Sequence, residues 1–191
     1  METIRAFIAI EIPPEIRQKL DEIESVLKSA SRAPVKWVEP DSIHLTLKFL
    51  GDTDVNKVDT IIEALGSVLP SIPAPRLEVK GLGVFPSPHR TQVVWAGLGG
   101  DMKGLTAQQQ AVEDVMEPFG FRREKRRFSP HLTLGRVRDR ATQSERQELG
   151  SLATGTSFDG GSFNGSPIHL IKSVLTRQGP IYTQLASFAS C

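Results

Sequence analysis

Apolar and polar positions alternate early. Arg5–Ile12 reads Arg-Ala-Phe-Ile-Ala-Ile-Glu-Ile, which predicts a strand. Pro13 and Pro14 then open a helix, since proline is tolerated in the first helical turn. Its apolar stripe is Ile16, Leu20, Ile23 and Leu27, at helical spacing. The alternating segment His44-Leu-Thr-Leu-Lys-Phe-Leu50 predicts a strand that stops at Gly51-Asp52. Val55–Leu69 predicts a second helix, with Val55, Val58, Ile61, Ile62, Leu65 and Leu69 on one side. Arg76–Phe85 is extended. Pro70–Pro75 and Phe85–Arg90 are proline-rich connectors, and Ser157–Ser166, rich in Gly and Ser, predicts a loop. Ile181–Phe188 reads as a closing strand.

The pattern repeats. His44 and His131 lie 87 positions apart, and each opens the tetrapeptide His-Leu-Thr-Leu. At that offset Ala6–Ile12 lands on Val93–Gly99, where Val93–Leu98 is another apolar run. The first helix lands on Lys103–Phe119, with Leu105, Val112, Val115, Met116 and Phe119 as its apolar positions. The second helix lands on Thr142–Leu152, and Arg76–Phe85 lands on Phe163–Lys172. One order of elements at one offset predicts an internal duplication. The expected fold is α+β, a single bilobal domain over residues 1–191. Its two lobes of mainly antiparallel strands, with outer helices, pack about a pseudo-twofold axis around a central cleft.

The chemistry follows from the motif strands. Side chains at i and i+2 share one face of a strand, so His44 stands beside Thr46, and His131 beside Thr133. Two imidazoles that ionise near neutral pH can divide an acid–base reaction, and two hydroxyls can hold an oxyanion. A phosphodiester with a strained 2′,3′-cyclic ring suits such a kit. Arg136 can neutralise the same phosphate with its planar fork, although strict alternation puts it on the face opposite His131. Trp37, Phe49 and Tyr182 are candidates for stacking bases, set against an ordinary packing role. His89 and His169 have no threonine two residues on and read as structural or surface residues. A two-histidine metal site lacks further carboxylate or thiol ligands at suitable spacing.

Composition narrows this further. The formal net charge is +1, yet Arg122, Arg123, Lys125, Arg126, Arg127, Arg136, Arg138 and Arg140 crowd around the second motif, against Glu124 and Asp139. Such a concentration predicts an anionic ligand there. The one cysteine, Cys191, rules out a disulfide framework. No apolar run approaches a membrane span and the first residues do not form a signal peptide, so the expectation is a soluble cytoplasmic monomer. No phosphate-binding glycine loop is present; Gly81-Leu-Gly-Val lacks the later glycine and lysine.

The paired His-Leu-Thr-Leu motifs resemble the signatures of the two-histidine (2H) phosphoesterases, and among them the RNA 2′,3′-cyclic phosphodiesterases, also called 2′-5′ RNA ligases. The likeness extends over Arg5–Pro13, Trp37–Gly51, Ser129–Arg136 and Leu175–Tyr182. It implies no metal cofactor and hydrolysis of a terminal 2′,3′-cyclic phosphate to a 2′-phosphomonoester. It also implies His44 as proton donor, His131 as proton acceptor, and Thr46, Thr133 and Arg136 as phosphate-binding residues. Run in reverse with an RNA 5′-hydroxyl, the same groups would make a 2′-5′ linkage. Two other readings stand beside it. One is a phosphodiesterase for a small cyclic nucleotide or a 2′-5′ oligonucleotide. The other is a non-catalytic RNA- or nucleotide-binding protein.

Overall fold

The structure, a computed structural model, describes residues 2–177 and 179–190; Cys191 lies outside them. Among the described residues nine strands and four α-helices are mixed along the chain, all strand pairs being antiparallel. Strand β1 (Thr3–Glu11) is buried on both faces from Ala6 to Ile10. Ile8 and Ile10 enter the main core, while Phe7 and Ala9 join a small second cluster with Ile171 and Tyr182. Helix α1 (Pro14–Ala30) buries the predicted Ile16, Leu20, Ile23 and Leu27 stripe. Strand β2 (Val35–Trp37) and strand β3 (His44–Asp54) follow, then α2 (Val58–Val68) behind a short 3-10 turn at Val55–Lys57.

Strand β4 (Arg76–Phe85) and β5 (Val93–Gly100) form a hairpin across the proline-rich connector. Helix α3 (Met102–Met116) starts where the Asp101 carboxylate accepts from the Gly104 amide. Strand β6 (Leu132–Val137) carries the second motif. Helix α4 (Gln143–Gly155) begins with a capping box between Thr142 and Glu145. The chain ends with β7 (Asp159–Asn164), β8 (Ile168–Leu175) and β9 (Pro180–Phe188).

The strands form two sheets, ordered β3-β1-β8-β9 and β2-β6-β5-β4-β7. The lobes are therefore not the two halves of the chain. The last strand of the first half, β4, pairs with β5, while β8 of the second half pairs with β1 and carries β9 beyond it. Helices cross over too: α2 and α3 pack on the first sheet through β9 and β3, whereas α1 and α4 pack on the second through β7 and β4. One cluster of buried side chains includes residues of both sheets.

Three local expectations change. The Ser157–Ser166 segment is not all loop, because β7 lies inside it as an edge strand on β4. Its glycines hide it from pattern reading, yet a Cβ at Gly160 would come within 2.9 Å of Val79 Cβ, so close packing favours glycine there. The extended stretch Phe163–Lys172 is broken between β7 and β8. Strand β3 does not stop at Gly51-Asp52; Gly51, at φ 69°, carries it through to Asp54.

Candidate active site

The register of the two motif strands builds the site. Along β1, Phe7, Ile8 and Ala9 stand opposite Phe49, Lys48 and Thr46, so Leu47 is an extra residue on β3. Along β5, Val93, Val94 and Trp95 stand opposite Arg136, Gly135 and Thr133, so Leu134 is an extra residue on β6. Each motif strand thus carries a bulge right after its threonine. The bulge reverses the alternation beyond it. Phe49 and Arg136, five residues after their histidines, turn to the cleft face with His44 and His131. Lys48 turns instead to the face of Ile8. The obstacle that strict alternation placed before Arg136 is removed by one inserted residue. Position by position the motif strands correspond at the offset of 87, but the β1 and β5 ladders match Phe7 with Val93 and Ala9 with Trp95, one residue less.

Strands β3 and β6 approach each other, and one cleft of about 1120 Å³ lies between the lobes. His44, Thr46, Phe49, His131, Thr133, Arg136, Trp37 and Tyr182 all line it. Its rim includes Arg122, Arg123, Lys125, Arg126 and Arg127. The two histidines are held alike. His44 Nδ1 lies 2.9 Å from the Ser42 carbonyl and His131 Nδ1 lies 2.8 Å from that of Ser129. A carbonyl can only accept, so each Nδ1 carries a proton and Nε2 is the nitrogen left for a ligand. Among the described residues neither Thr46 nor Thr133 spends its hydroxyl on another protein group.

The surroundings of the two rings differ. His44 stacks on Phe7 at 4.6 Å between centroids and meets the edge of Tyr182 at 5.2 Å. Burial there pushes the His44 pKa below its ordinary value, while the Ser42 carbonyl and the nearby Glu11 carboxylate push it up. His131 meets only the edge of Phe85, at 5.0 Å, and Trp95 at 6.3 Å. Burial also raises the Tyr182 pKa, with Arg136 close enough to oppose it.

The aromatic candidates divide. Phe49 is 73% exposed on the cleft face, and Tyr182 sits on the cleft floor beside His44. Trp37 reaches the rim, but its ring lies 5.7 Å from Lys28 Nζ and across Gly135, so packing accounts for it. His89 sits on the surface in a short turn, its carbonyl taken by Gln143. His169 is buried in β8, its Nε2 3.9 Å from the Glu11 carboxylate.

Two groups at the site escaped the sequence. Lys48 Nζ lies 2.5 Å from Glu113 Oε2 on α3 and donates to the Arg122 carbonyl at 2.9 Å. Gln109 satisfies the other Glu113 oxygen at 3.1 Å. This buried network ties β3 to the start of the arginine-rich rim. Only the bulge turns Lys48 that way, and no local pattern signals it. Glu11, the β1 partner of His44, read simply as a strand residue. Within the rim Arg123 is occupied by Asp114 and Glu117.

Comparison with known proteins gives the family and supports the fold. The model of the LigT-like phosphoesterases matches residues 10–95 and 101–182. An RNA 2′,3′-cyclic phosphodiesterase of Methanothermobacter thermautotrophicus is 36% identical over 186 residues, 97% of this chain and 98% of that protein. Another, of Aeropyrum pernix, is 38% identical over 156 residues, 80% of this chain and 84% of the relative. The crystal structure of E. coli LigT complexed with 3′-AMP superposes with a TM-score of 0.76 at 26% identity, covering 99% of each chain. The chain belongs to the LigT-like phosphoesterase family.

Proposed function

We propose that this LigT-like phosphoesterase is an RNA 2′,3′-cyclic phosphodiesterase that opens a terminal cyclic phosphate to a 2′-phosphomonoester by acid–base catalysis from its two histidines. The observation that carries the reading is the matched pair of imidazoles, each fixed through Nδ1 and each beside a threonine, on facing walls of one cationic cleft. Relatives of this length and identity bearing that name support it.

In this reading water attacks phosphorus and gives its proton to Nε2 of His131. The bond from phosphorus to the ribose 3′ oxygen breaks, and that oxygen takes a proton from Nε2 of His44. Thr46 and Thr133 donate hydrogen bonds to the non-bridging oxygens, and Arg136 offsets their charge. The donor role for His44 follows the family resemblance; at the ring itself burial, the largest effect, lowers the pKa and works against it. Glu11 stands opposite it on β1 and favours its protonated form, whereas continuing the β5 ladder puts Gly97 opposite His131. An anionic phosphate adds a further upward push on His44, beside those of Ser42 and Glu11, against the burial that lowers it. An RNA 5′-hydroxyl in place of the attacking water would give its proton to His131 as the bond to the 3′ oxygen breaks, and so form a 2′-5′ linkage. Among the described residues no helix is long and apolar enough to cross a membrane, and we take the protein to act on RNA ends as a cytoplasmic monomer.

The test is turnover of 2′,3′-cyclic AMP and of a short RNA with a cyclic phosphate end, in EDTA. His44→Ala and His131→Ala should each lower kcat by about 10²–10⁴-fold, with a 2′-phosphate as the wild-type product. Turnover indifferent to both substitutions, or lost in EDTA, would overturn the mechanism.

A further inference from the structure

Beside the cleft lies a second, smaller cavity of about 450 Å³, lined by Lys36, Arg136, Val137, Arg138, Asp139 and Arg140. It shares Lys36 and Arg136 with the cleft, so the two are neighbours. Lys36 and Arg136 are direct cross-strand partners in the β2–β6 ladder, which places two like charges on one face. Such a pair costs stability. Arg138 follows two residues after Arg136, and Arg140 sits in the turn beyond it. Among the described residues none of these four cations makes an ion pair. The carboxylates nearby are Asp139, in the cavity wall, and Glu145, which feels Arg140 but is committed to Thr142. The edge strand β2, its partner β6 and the turn after β6 have thus gathered like charges that the fold does not neutralise, and those after β6 lead away from His131.

We propose that this strip is a backbone track for single-stranded RNA. It would hold the phosphates on the 5′ side of the terminal nucleotide whose cyclic phosphate lies between His44 and His131. The inference rests on the RNA-end reading above and deepens it. A cyclic phosphate terminates the 3′ end, so the rest of the RNA leaves through the ribose 5′ oxygen and must exit the cleft. Unpaired cations that continue from the phosphate-binding Arg136 supply one exit of the right charge. A mononucleotide has no phosphate to place there. The protein should therefore favour an oligomer over a cyclic mononucleotide, with a gain that depends on salt.

The test uses the full chain and the double variant Arg138→Ala/Arg140→Ala, neither residue being part of the acid–base or phosphate-binding set. Kcat/KM is measured on 2′,3′-cyclic AMP and on oligomers of two to six nucleotides ending in a cyclic phosphate. The double variant should lose about tenfold on the longer oligomers and stay within twofold on the mononucleotide. Its plot of log kcat/KM against log salt should be shallower by about 1.4, for two lost phosphate contacts on a single strand. Arg138→Lys/Arg140→Lys should restore most of the loss. Equal losses on mononucleotide and oligomer, or no loss on either, overturn the track. Fluorescence anisotropy with a labelled six-nucleotide RNA ending in a plain 3′-hydroxyl separates the two proposals. If wild type turns over neither substrate, the RNA-end reading fails, while weaker binding by the double variant still supports the track. Equal binding refutes it.

Discussion

The two motif strands share a backbone and their first four residues, and differ in the side chains that follow and in what surrounds each histidine. In both, His and Thr face the cleft, two leucines enter the core, and a bulge after the threonine brings the fifth residue after the histidine round to the cleft. In β3 that residue is Phe49; in β6 it is Arg136. The residue before it is Lys48 in one strand, tied to Glu113 and the Arg122 carbonyl, and Gly135 in the other, covered by Trp37. His44 is wedged between Phe7 and Tyr182 with Glu11 opposite, and His131 has the edge of Phe85 and a tilted Trp95 nearby. One geometric device, used twice, makes an apolar wall and a cationic wall. A substrate with a base at one end and a phosphate beside it fits the asymmetry, and a symmetric cleft would not tell those ends apart.

The largest contrast to test lies at the bulges. Lys48→Ala would strand the buried Glu113 carboxylate and free the Arg122 carbonyl, at a cost of about 3–5 kcal/mol. At the matching position Gly135→Ala would set a Cβ 2.7 Å from Val35 Cγ1 and 2.8 Å from Trp37 Cε3, an overpacking cost of about 1–3 kcal/mol. Denaturant melts should rank Lys48→Ala below Gly135→Ala, and Lys48→Met/Glu113→Leu should recover most of the first loss. The reverse ranking would mean that the Lys48 network contributes little to holding β3 on α3.

A smaller effect separates the two walls. Arg136→Ala should lower kcat/KM by about 10–100-fold on any cyclic phosphate, through loss of a charged hydrogen bond. Phe49→Ala should cost about fivefold, felt in KM and only where the substrate carries a base to stack. Comparing a cyclic nucleotide with a base-free cyclic phosphate reads both at once. Equal sensitivity of the two substrates to Phe49→Ala would remove the stacking role.

The smallest expected change is in pH. If His44 is the donor, it must be protonated in the free enzyme, so the alkaline limb of kcat/KM follows its pKa. Glu11 pushes that pKa up, and Glu11→Gln removes the push. The alkaline limb should therefore move to lower pH, by a few tenths of a unit for a charge as exposed as Glu11. Movement of the acid limb instead would exchange the roles of His44 and His131.

Much of this molecule was legible in the chain. The periodicity marks β1, α1, α2 and β5, and the repeated His-Leu-Thr-Leu marks the histidines and threonines that meet in the cleft. Arg136 was recognisable by type and by resemblance, but alternation alone pointed it the wrong way. Lys48 looked like one more alternating strand residue, and β7 looked like a loop. Each of these failed for one reason. Its conformation is set by a neighbouring strand distant in sequence, through the register on β1 and β5 for the bulges and through the edge of β4 for the glycine-rich β7.

The sequence by itself determined most of the strands and helices, and picked out the histidines, threonines and arginine that line the cleft. Those properties depend on side-chain type and on spacing within a few residues. Tertiary structure alone decided that each lobe takes strands from both halves of the chain, and that bulges bring Phe49 and Arg136 to the cleft. It also decided that Glu11 stands by one histidine and not the other. These are matters of pairing and register between distant segments. Backbone hydrogen bonds make such pairings without regard to residue type, so the local pattern carries no record of them.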